Sequence, residues 1–383
     1  MPVPKTKINP DQRPYQRKLR PLDRKNLPFS TYQNKNYIDL SHNDYLGLSQ
    51  DQELIELAKK ALQDYGNGSG GSRLLGGDHP VFHDLESLIA STYQKQAALF
   101  FNNGYQGNLA VFKGLFGPDD IVFADKYVHA SCLDACLLAG VQLKRFAHQN
   151  MQHLEKRLKQ YRKKGLKALI VSEALFSMQG DFSPLNDLIA LKEAYDCQLM
   201  VDEAHSLGVY GPNGLGCSAH YLRDIEFIFG TFGKALGSSG AFVTCSLTEK
   251  QTLLQKSRPF IYSTALPHPV MAWNRAVFIK LKELSYLREK LIKNAHHLRI
   301  KAETLGFHHL GESHIIPLRF SSTEACIKAR DLCLKKGFFT HAIFPPTVPE
   351  GQCQLRLSLN STLHDDHFDR LKQLLIDLKE VDS

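Results

Sequence analysis

No apolar stretch in this 383-residue chain approaches the roughly 18–20 residues that a membrane-crossing helix needs. That excludes a helical membrane anchor. Residues 1–5 open a polar segment without the apolar core of a signal peptide, so the expected location is cytoplasmic. The eight cysteines, at positions 132, 136, 197, 217, 245, 326, 333 and 353, include no CxxC pair or other metal-site spacing. They read as reduced core or surface thiols rather than a disulfide framework or metal cage. Internal repeats and low-complexity tracts are absent, which argues against a solenoid or a disordered chain.

Three familiar signatures also fail on inspection. Gly66-Asn67-Gly68-Ser69-Gly70-Gly71 contains GxGxxG but follows a helix-like segment, where a dinucleotide site needs a strand. Gly233-Lys234-Ala235 lacks the Ser or Thr of a Walker loop, and Ile228 stands where its upstream glycine belongs. His79 and His83 are spaced to share a helix face, yet no glutamate follows His79, so no metal is expected.

The formal charge of +8 has no nucleic-acid motif behind it. Basic residues gather at Lys5, Lys7, Arg13, Arg17, Lys18, Arg20, Arg24 and Lys25, and again at Lys156, Arg157, Lys159, Arg162, Lys163, Lys164 and Lys167. Beneath the second group Leu154, Leu158 and Tyr161 recur at helical spacing, the pattern of a solvated helix face. An anionic small substrate such as a coenzyme A thioester is another use for basic surface.

What is present is a soluble globular composition, 43% hydrophobic and 22% charged, on a chain long enough for a large and a small domain. Residues up to about 35 read as a basic arm or short helix outside the core. A helix is expected over 52–65. Short apolar strands at 97–101, 121–124, 141–146, 168–173, 198–202, 225–229 and 241–245 alternate with helices, which predicts an α/β fold with a mostly parallel seven-stranded sheet. After Pro267 one long amphipathic helix leads into a smaller α+β unit, with strands at 314–320, 339–344 and 354–359 and helices over 323–336 and from 365. The expected divisions are an arm at 1–50, a large domain at 51–285 and a small domain at 286–383.

Chemistry collects where these strands end. Leu199-Met200-Val201-Asp202 delivers an acid at a strand terminus with His205 three residues on, and the run ending at Glu173 leads to Ser177. Lys234 follows a third apolar run, among glycines that admit close approach. A lysine able to form a Schiff base and an acid able to keep a pyridine nitrogen protonated are the pair that pyridoxal phosphate (PLP) chemistry needs. Asn103 to Asn108 opens a helix after the 97–101 strand, as either a phosphate cradle or an ordinary glycine turn. His129 suits stacking on a flat ring or a structural role. Arg356, a lone cation in an alternating strand, suits either a carboxylate or the surface.

Taken together, 68–73 (GSGGSR), 202–205 (DEAH), 231–234 (TFGK), 259–264 (PFIYST) and 345–349 (PPTVP) resemble the α-oxoamine synthases, from about residue 43 to the C-terminus. The resemblance implies the aminotransferase-like fold of PLP enzymes, fold type I, and a homodimer with active sites at the interface. By similarity, Lys234 bonds PLP, Asp202 pairs with the pyridinium nitrogen, and His205 and Ser177 lie near its phenolic oxygen. His129 stacks on the ring. Gly104, Tyr105, Thr231 and a Thr264 from the partner hold the phosphate. Arg356 binds the amino-acid carboxylate, and Asn43, Glu173 and Arg20 match substrate-side positions. The implied reaction is decarboxylative joining of L-alanine to a pimeloyl thioester, on coenzyme A or a carrier protein. Its alternative within the family joins glycine to acetyl-CoA or succinyl-CoA, and an aminotransferase is a further one. Phe344 departs from the family pattern, occupying a position where relatives often carry a small or basic residue.

Overall fold

The structure, a computed structural model, describes residues 18–163 and 165–381. Lys5, Lys7, Arg13, Arg17 and Lys164 of the basic groups, and the first seventeen residues of the expected arm, lie outside the described residues. The chain opens with strands β1 (Asp23–Asn26), β2 (Phe29–Tyr32) and β3 (Lys35–Asp39), then helices α1 (Gln52–Tyr65) and α2 (Pro80–Thr92). An alternating run follows: β4 (Ala97–Phe101), α3 (Gly104–Leu115), β5 (Ile121–Asp125), α4 (Ala130–Ala139), β6 (Gln142–Phe146) and α5 (Met151–Tyr161). It continues through β7 (Ala168–Glu173), α6 (Leu185–Ala194), β8 (Gln198–Asp202), β9 (Phe227–Thr231) and β10 (Ala241–Cys245). Helices α7 (Leu247–Lys256), α8 (Arg258–Ile261), α9 (His268–Lys280) and α10 (Ser285–Thr304) lead to β11 (Ile315–Arg319) and α11 (Thr323–Lys335). The chain then forms β12 (Phe338–Phe339), β13 (His341–Ile343), β14 (Gln354–Ser358) and α12 (Asp365–Val381).

The seven-stranded sheet runs β4-β10-β9-β8-β7-β5-β6, and β10 alone lies antiparallel to its neighbours. β4, β5, β7, β9 and β10 are buried along their whole length and β8 along all but its first residue, because helices cover both faces, which is why they read as apolar runs; the edge strand β6 is largely exposed. Smaller sheets run β1-β2-β3-β12 and β11-β14-β13. Among the described residues no helix is long and apolar enough to cross a membrane.

Four expectations change. Residues 23–32 form strands rather than a free arm or helix, pairing through β3 with β12 from the far end of the chain. β1 is exposed throughout, so no apolar alternation marked it. Buried Asp39 anchors the layer instead, accepting from Arg24 Nε at 2.9 Å, Ser41 N at 2.8 Å and the Ser30 hydroxyl. The 339–344 strand divides between two sheets at Thr340, whose hydroxyl donates to the Arg356 carbonyl at 3.0 Å. The long helix after Pro267 is two helices, broken where Leu281 and Leu284 both turn into the core.

The fourth change bears on the site. The 225–229 strand lies two residues later, at Phe227–Thr231, and includes Gly230. A Cβ at Gly230 would fall 2.5 Å from the Phe242 ring and 2.9 Å from Leu207, so glycine here permits close packing rather than breaking the strand. The extension carries Thr231 to the strand terminus, three residues before Lys234.

Candidate active site

Parallel register sets the site's floor. Glu173 pairs with Asp202 across β7 and β8, and Asp202 with Phe229 across β8 and β9, so three strand ends open on one crevice. Beyond β8 the chain turns at once: the Ala204 amide donates to Asp202 Oδ1 at 2.9 Å, bringing His205 back over the sheet end. Lys234 Nζ lies 2.7 Å from His205 Nε2. On the imidazole's other side, Nδ1 lies 2.6 Å from the hydroxyl of Tyr45, a ring with no exposure at all.

The electrostatics follow from burial. Desolvation pulls the Lys234 amine down to about 8; Asp202 and then Glu173 hold it up, and Arg356 pushes it down. Burial, with Asp202 alongside, pushes the Glu173 carboxyl up to about 8, against Lys234 and the Ser177 and His129 amides. His205 is held well below its ordinary value by burial and by the charges of Lys234 and Arg356, so its ring is neutral.

Arg356 enters from β14, beside Pro317 on β11 and His341 on β13. Its Nε donates to the Ser177 carbonyl at 2.6 Å, Nη1 to Ser358 Oγ at 2.5 Å and Asn43 Oδ1 at 3.2 Å, and Nη2 to the Tyr45 hydroxyl at 3.3 Å. Every acceptor is neutral, and no carboxylate pairs with this buried guanidinium among the described residues. The structure thus brings Lys234, Asp202, His205, Glu173, Ser177, Asn43 and Arg356 together from five separate parts of the chain.

The remaining candidates lie at the margins. Gly104 and Tyr105 form the first turn of α3, capped by Asn103, whose Oδ1 takes the Gln106 amide at 2.9 Å. Their own amides have no partner within the helix. A Cβ at Gly107, on the next turn, would lie 2.7 Å from the Phe229 ring, so this helix end packs directly on β9. His129 caps α4, takes the Ser131 hydroxyl at 2.8 Å, and meets the Tyr105 ring edge-on at 6.3 Å. The Thr231 hydroxyl donates to the Gly240 carbonyl at 2.9 Å. Thr264 is exposed, joined by its carbonyl to Asn102 Nδ2 at 2.5 Å, with no bond to the lysine group. Arg20 stands near His341 with a buried Nη1 that lacks a partner among the described residues, where no hydrogen bond ties it to Lys234 or Arg356. Phe344 is buried in the C-terminal core.

Sequence reasoning passed over Tyr45, Ser358 and His314. Tyr45 sat in an apparent turn. The usable signal was its apolar flank, because a tyrosine in such a setting is buried and its hydroxyl then needs a partner. His314 is fully buried, with its ring 4.0 Å from that of Tyr45. The motifs set aside stay set aside: GxGxxG follows α1, His79 caps α2 and stacks on His268 at 4.4 Å, and His83 pairs with Asp78. Among the described residues no cluster suited to a metal occurs, and all eight cysteines are free.

This donor set suits PLP. Among the described residues Asp202 is a buried acid with no hydrogen-bonded cation, a place a protonated ring nitrogen would fill, and Asn108 Oδ1 and Glu173 Oε1 are buried without hydrogen-bond partners. The Lys234 amine faces Asp202 and Glu173, and the first-turn amides of α3, without partners within the helix, suit a phosphate.

Comparison with known proteins agrees. Residues 35–373 match the family described as Aminotransferase class I and II. The 8-amino-7-oxononanoate synthase of Geobacter sulfurreducens is 40% identical over 332 residues, covering 85% of this chain and 84% of that one. A solved 8-amino-7-oxononanoate synthase from Francisella tularensis superposes with a TM-score of 0.78 at 27% identity, over 90% of this chain and 97% of its own. A serine palmitoyltransferase from S. paucimobilis, solved with a PLP–myriocin aldimine, gives 0.89 at 28% identity, over 94% of this chain and 92% of its own. The chain therefore belongs to the aminotransferase class I and II family, as a PLP enzyme of fold type I whose relatives include the 8-amino-7-oxononanoate synthases.

Proposed function

We propose that the protein is a PLP-dependent acyltransferase that joins L-alanine to a pimeloyl thioester, releasing carbon dioxide and the free thiol and yielding 8-amino-7-oxononanoate for biotin synthesis. The observation that carries this reading is Arg356: a buried guanidinium held by four neutral acceptors, one of them leading through Tyr45 and His205 to Lys234. Burying a charge without a counter-ion is costly unless a ligand supplies it, and the carboxylate of an amino acid is a matching partner.

Bound PLP supplies an aldehyde for an amine and a ring that takes up electrons from the adjacent carbon. Asp202 would hold the proton on its ring nitrogen, His129 would cover its face, and His205 and Ser177 would stand by its phenolic oxygen. The amides of Gly104 and Tyr105, with Thr231, would hold its phosphate. Arg356 and Asn43 orient the alanine carboxylate. Lys234, with an amine near neutrality, takes the proton from the alanine α-carbon. That carbon then bonds to the thioester carbonyl, the thiolate leaves, the carboxyl group departs as carbon dioxide, and a proton returned to the same carbon completes the product. Pimelate has a second carboxylate at its far end, and Arg20 Nη1, which has no partner among the described residues, is a candidate to meet it. A homodimer accords with the exposure of Thr264, whose hydroxyl makes no hydrogen bond among the described residues and could serve a partner's phosphate site.

The test is product analysis with alanine or glycine against pimeloyl-CoA and acetyl-CoA, following free thiol. Thiol release with alanine and pimeloyl-CoA, abolished in Lys234→Ala, is the expected result. Preference for glycine with acetyl-CoA would move the assignment to another α-oxoamine synthase.

A further inference from the structure

A single run of hydrogen bonds joins the buried arginine to the lysine, and its direction can be assigned from donor chemistry. Arginine only donates, so the Asn43 amide atom 3.2 Å from Arg356 Nη1 is the oxygen. The Tyr45 hydroxyl is 3.0 Å from that same oxygen, to which it can give its one hydrogen. It also receives Arg356 Nη2 at 3.3 Å. With that hydrogen committed, the 2.6 Å contact to His205 Nδ1 is satisfied only if Nδ1 carries a proton. A neutral imidazole protonated at Nδ1 offers Nε2 as an acceptor, and the neighbour of Nε2 at 2.7 Å is the Lys234 amine. An ammonium fits there. A neutral amine fits the reverse arrangement as well, with Nε2 donating to lysine and Tyr45 turning its hydrogen from Asn43 to Nδ1.

We infer that Tyr45 is a positioning residue that sets the tautomer of His205, thereby favouring the ammonium form of Lys234 and linking that form to the hydrogen bonds of Arg356. In the ammonium arrangement Asn43 Oδ1 accepts from both Tyr45 and Arg356; in the reverse arrangement it keeps only Arg356. Four of the five Arg356 N–H hydrogens are used, so one on Nη2 is free among the described residues. A carboxylate taking two hydrogens from this fork must displace Asn43, Ser358, Tyr45 or Ser177. Loss of the Tyr45 or Asn43 contact alters the acceptors on which the tautomer rests, so amino-acid binding and lysine protonation are coupled. This deepens the assignment of Lys234 and Arg356 made above and rests on it.

The charged and titratable groups around the run are Asp202, Glu173, His205 and Arg356 facing Lys234, and Arg356, His314 and His129 facing His205. None of them is altered by Tyr45→Phe, which removes only the hydroxyl. The experiment measures how fast cofactor-free protein combines with added PLP across pH about 6 to 10, since only the free amine adds to the aldehyde with loss of water. The wild-type rate should rise with a midpoint of about 8. In Tyr45→Phe the midpoint should fall by about one unit, the tenfold effect of one lost net hydrogen bond. Tyr93→Phe, which removes another buried hydroxyl, one that donates to the Leu215 carbonyl outside the run, should leave it unchanged.

A Tyr45→Phe midpoint equal to or above that of wild type overturns the inference. Should the variant fold poorly, nitrogen NMR of wild-type cofactor-free protein at pH about 7, with His205 assigned by its loss in His205→Asn, decides the matter. A proton on Nδ1 supports the proposal, and a proton on Nε2 refutes it. Turnover in Lys234→Ala bears on the enzyme assignment alone, so the two ideas fail separately.

Discussion

Glu173 and Asp202 are register partners on adjacent parallel strands, so two buried carboxylates leave the sheet side by side, both drawn to the one amine of Lys234. Such a pair cannot ionise freely. Glu173 is the member that yields, its carboxyl pushed up to about 8.

An acid whose folded value lies above its unfolded one weakens the fold as pH rises between the two, here from about 4.5 to about 8. Glu173→Gln removes that penalty. Melting of the cofactor-free variant should equal wild type near pH 4.5 and exceed it at pH 8, by about 1–4 kcal/mol.

His148 behaves in the opposite sense. Its Nδ1 meets Asp125 at 2.9 Å and its Nε2 meets Asp181 at 3.1 Å, tying the end of β5 to the loop that carries Ser177 and raising the imidazole to about 9 despite burial. A raised histidine stabilises fully below its unfolded value of about 6.5 and loses that contribution as pH climbs towards 9. His148→Gln should cost about 2–3 kcal/mol at pH 6, read by thermal melts, with the difference fading above pH 9.

Gly230→Ala should destabilise by about 1–3 kcal/mol. The new methyl would meet the Phe242 ring at 2.5 Å, and both residues are fixed in the central sheet. Denaturant unfolding measures the loss. Weaker PLP retention should accompany it, because β9 leads directly into Thr231 and Lys234.

Arg356→Lys preserves charge but loses the planar fork. Alanine KM should rise about 10–100-fold, the equivalent of roughly 1.5–3 kcal/mol for a charge-assisted bidentate contact. The thioester KM should change much less.

Sequence alone determined the elements whose burial is complete or whose period is strong. Helix 52–65 and the strands at 97–101, 168–173, 198–202 and 241–245 match the structure at both ends, because a strand covered on both faces must be apolar throughout and stops where polar groups emerge. Two of those ends carry Glu173 and Asp202, which drew attention to the crevice because ligands bind where parallel strands finish. Tertiary structure alone decided the rest. The exposed β1 carries no apolar alternation, and β3 is completed by Phe338 and Phe339, about three hundred residues away. Tyr45 becomes part of the site only when folding brings it 160 positions along the chain to His205 and 311 to Arg356. A hydrogen-bond partner at that separation leaves no local pattern, because it is fixed by how the layers pack and not by the residues beside it.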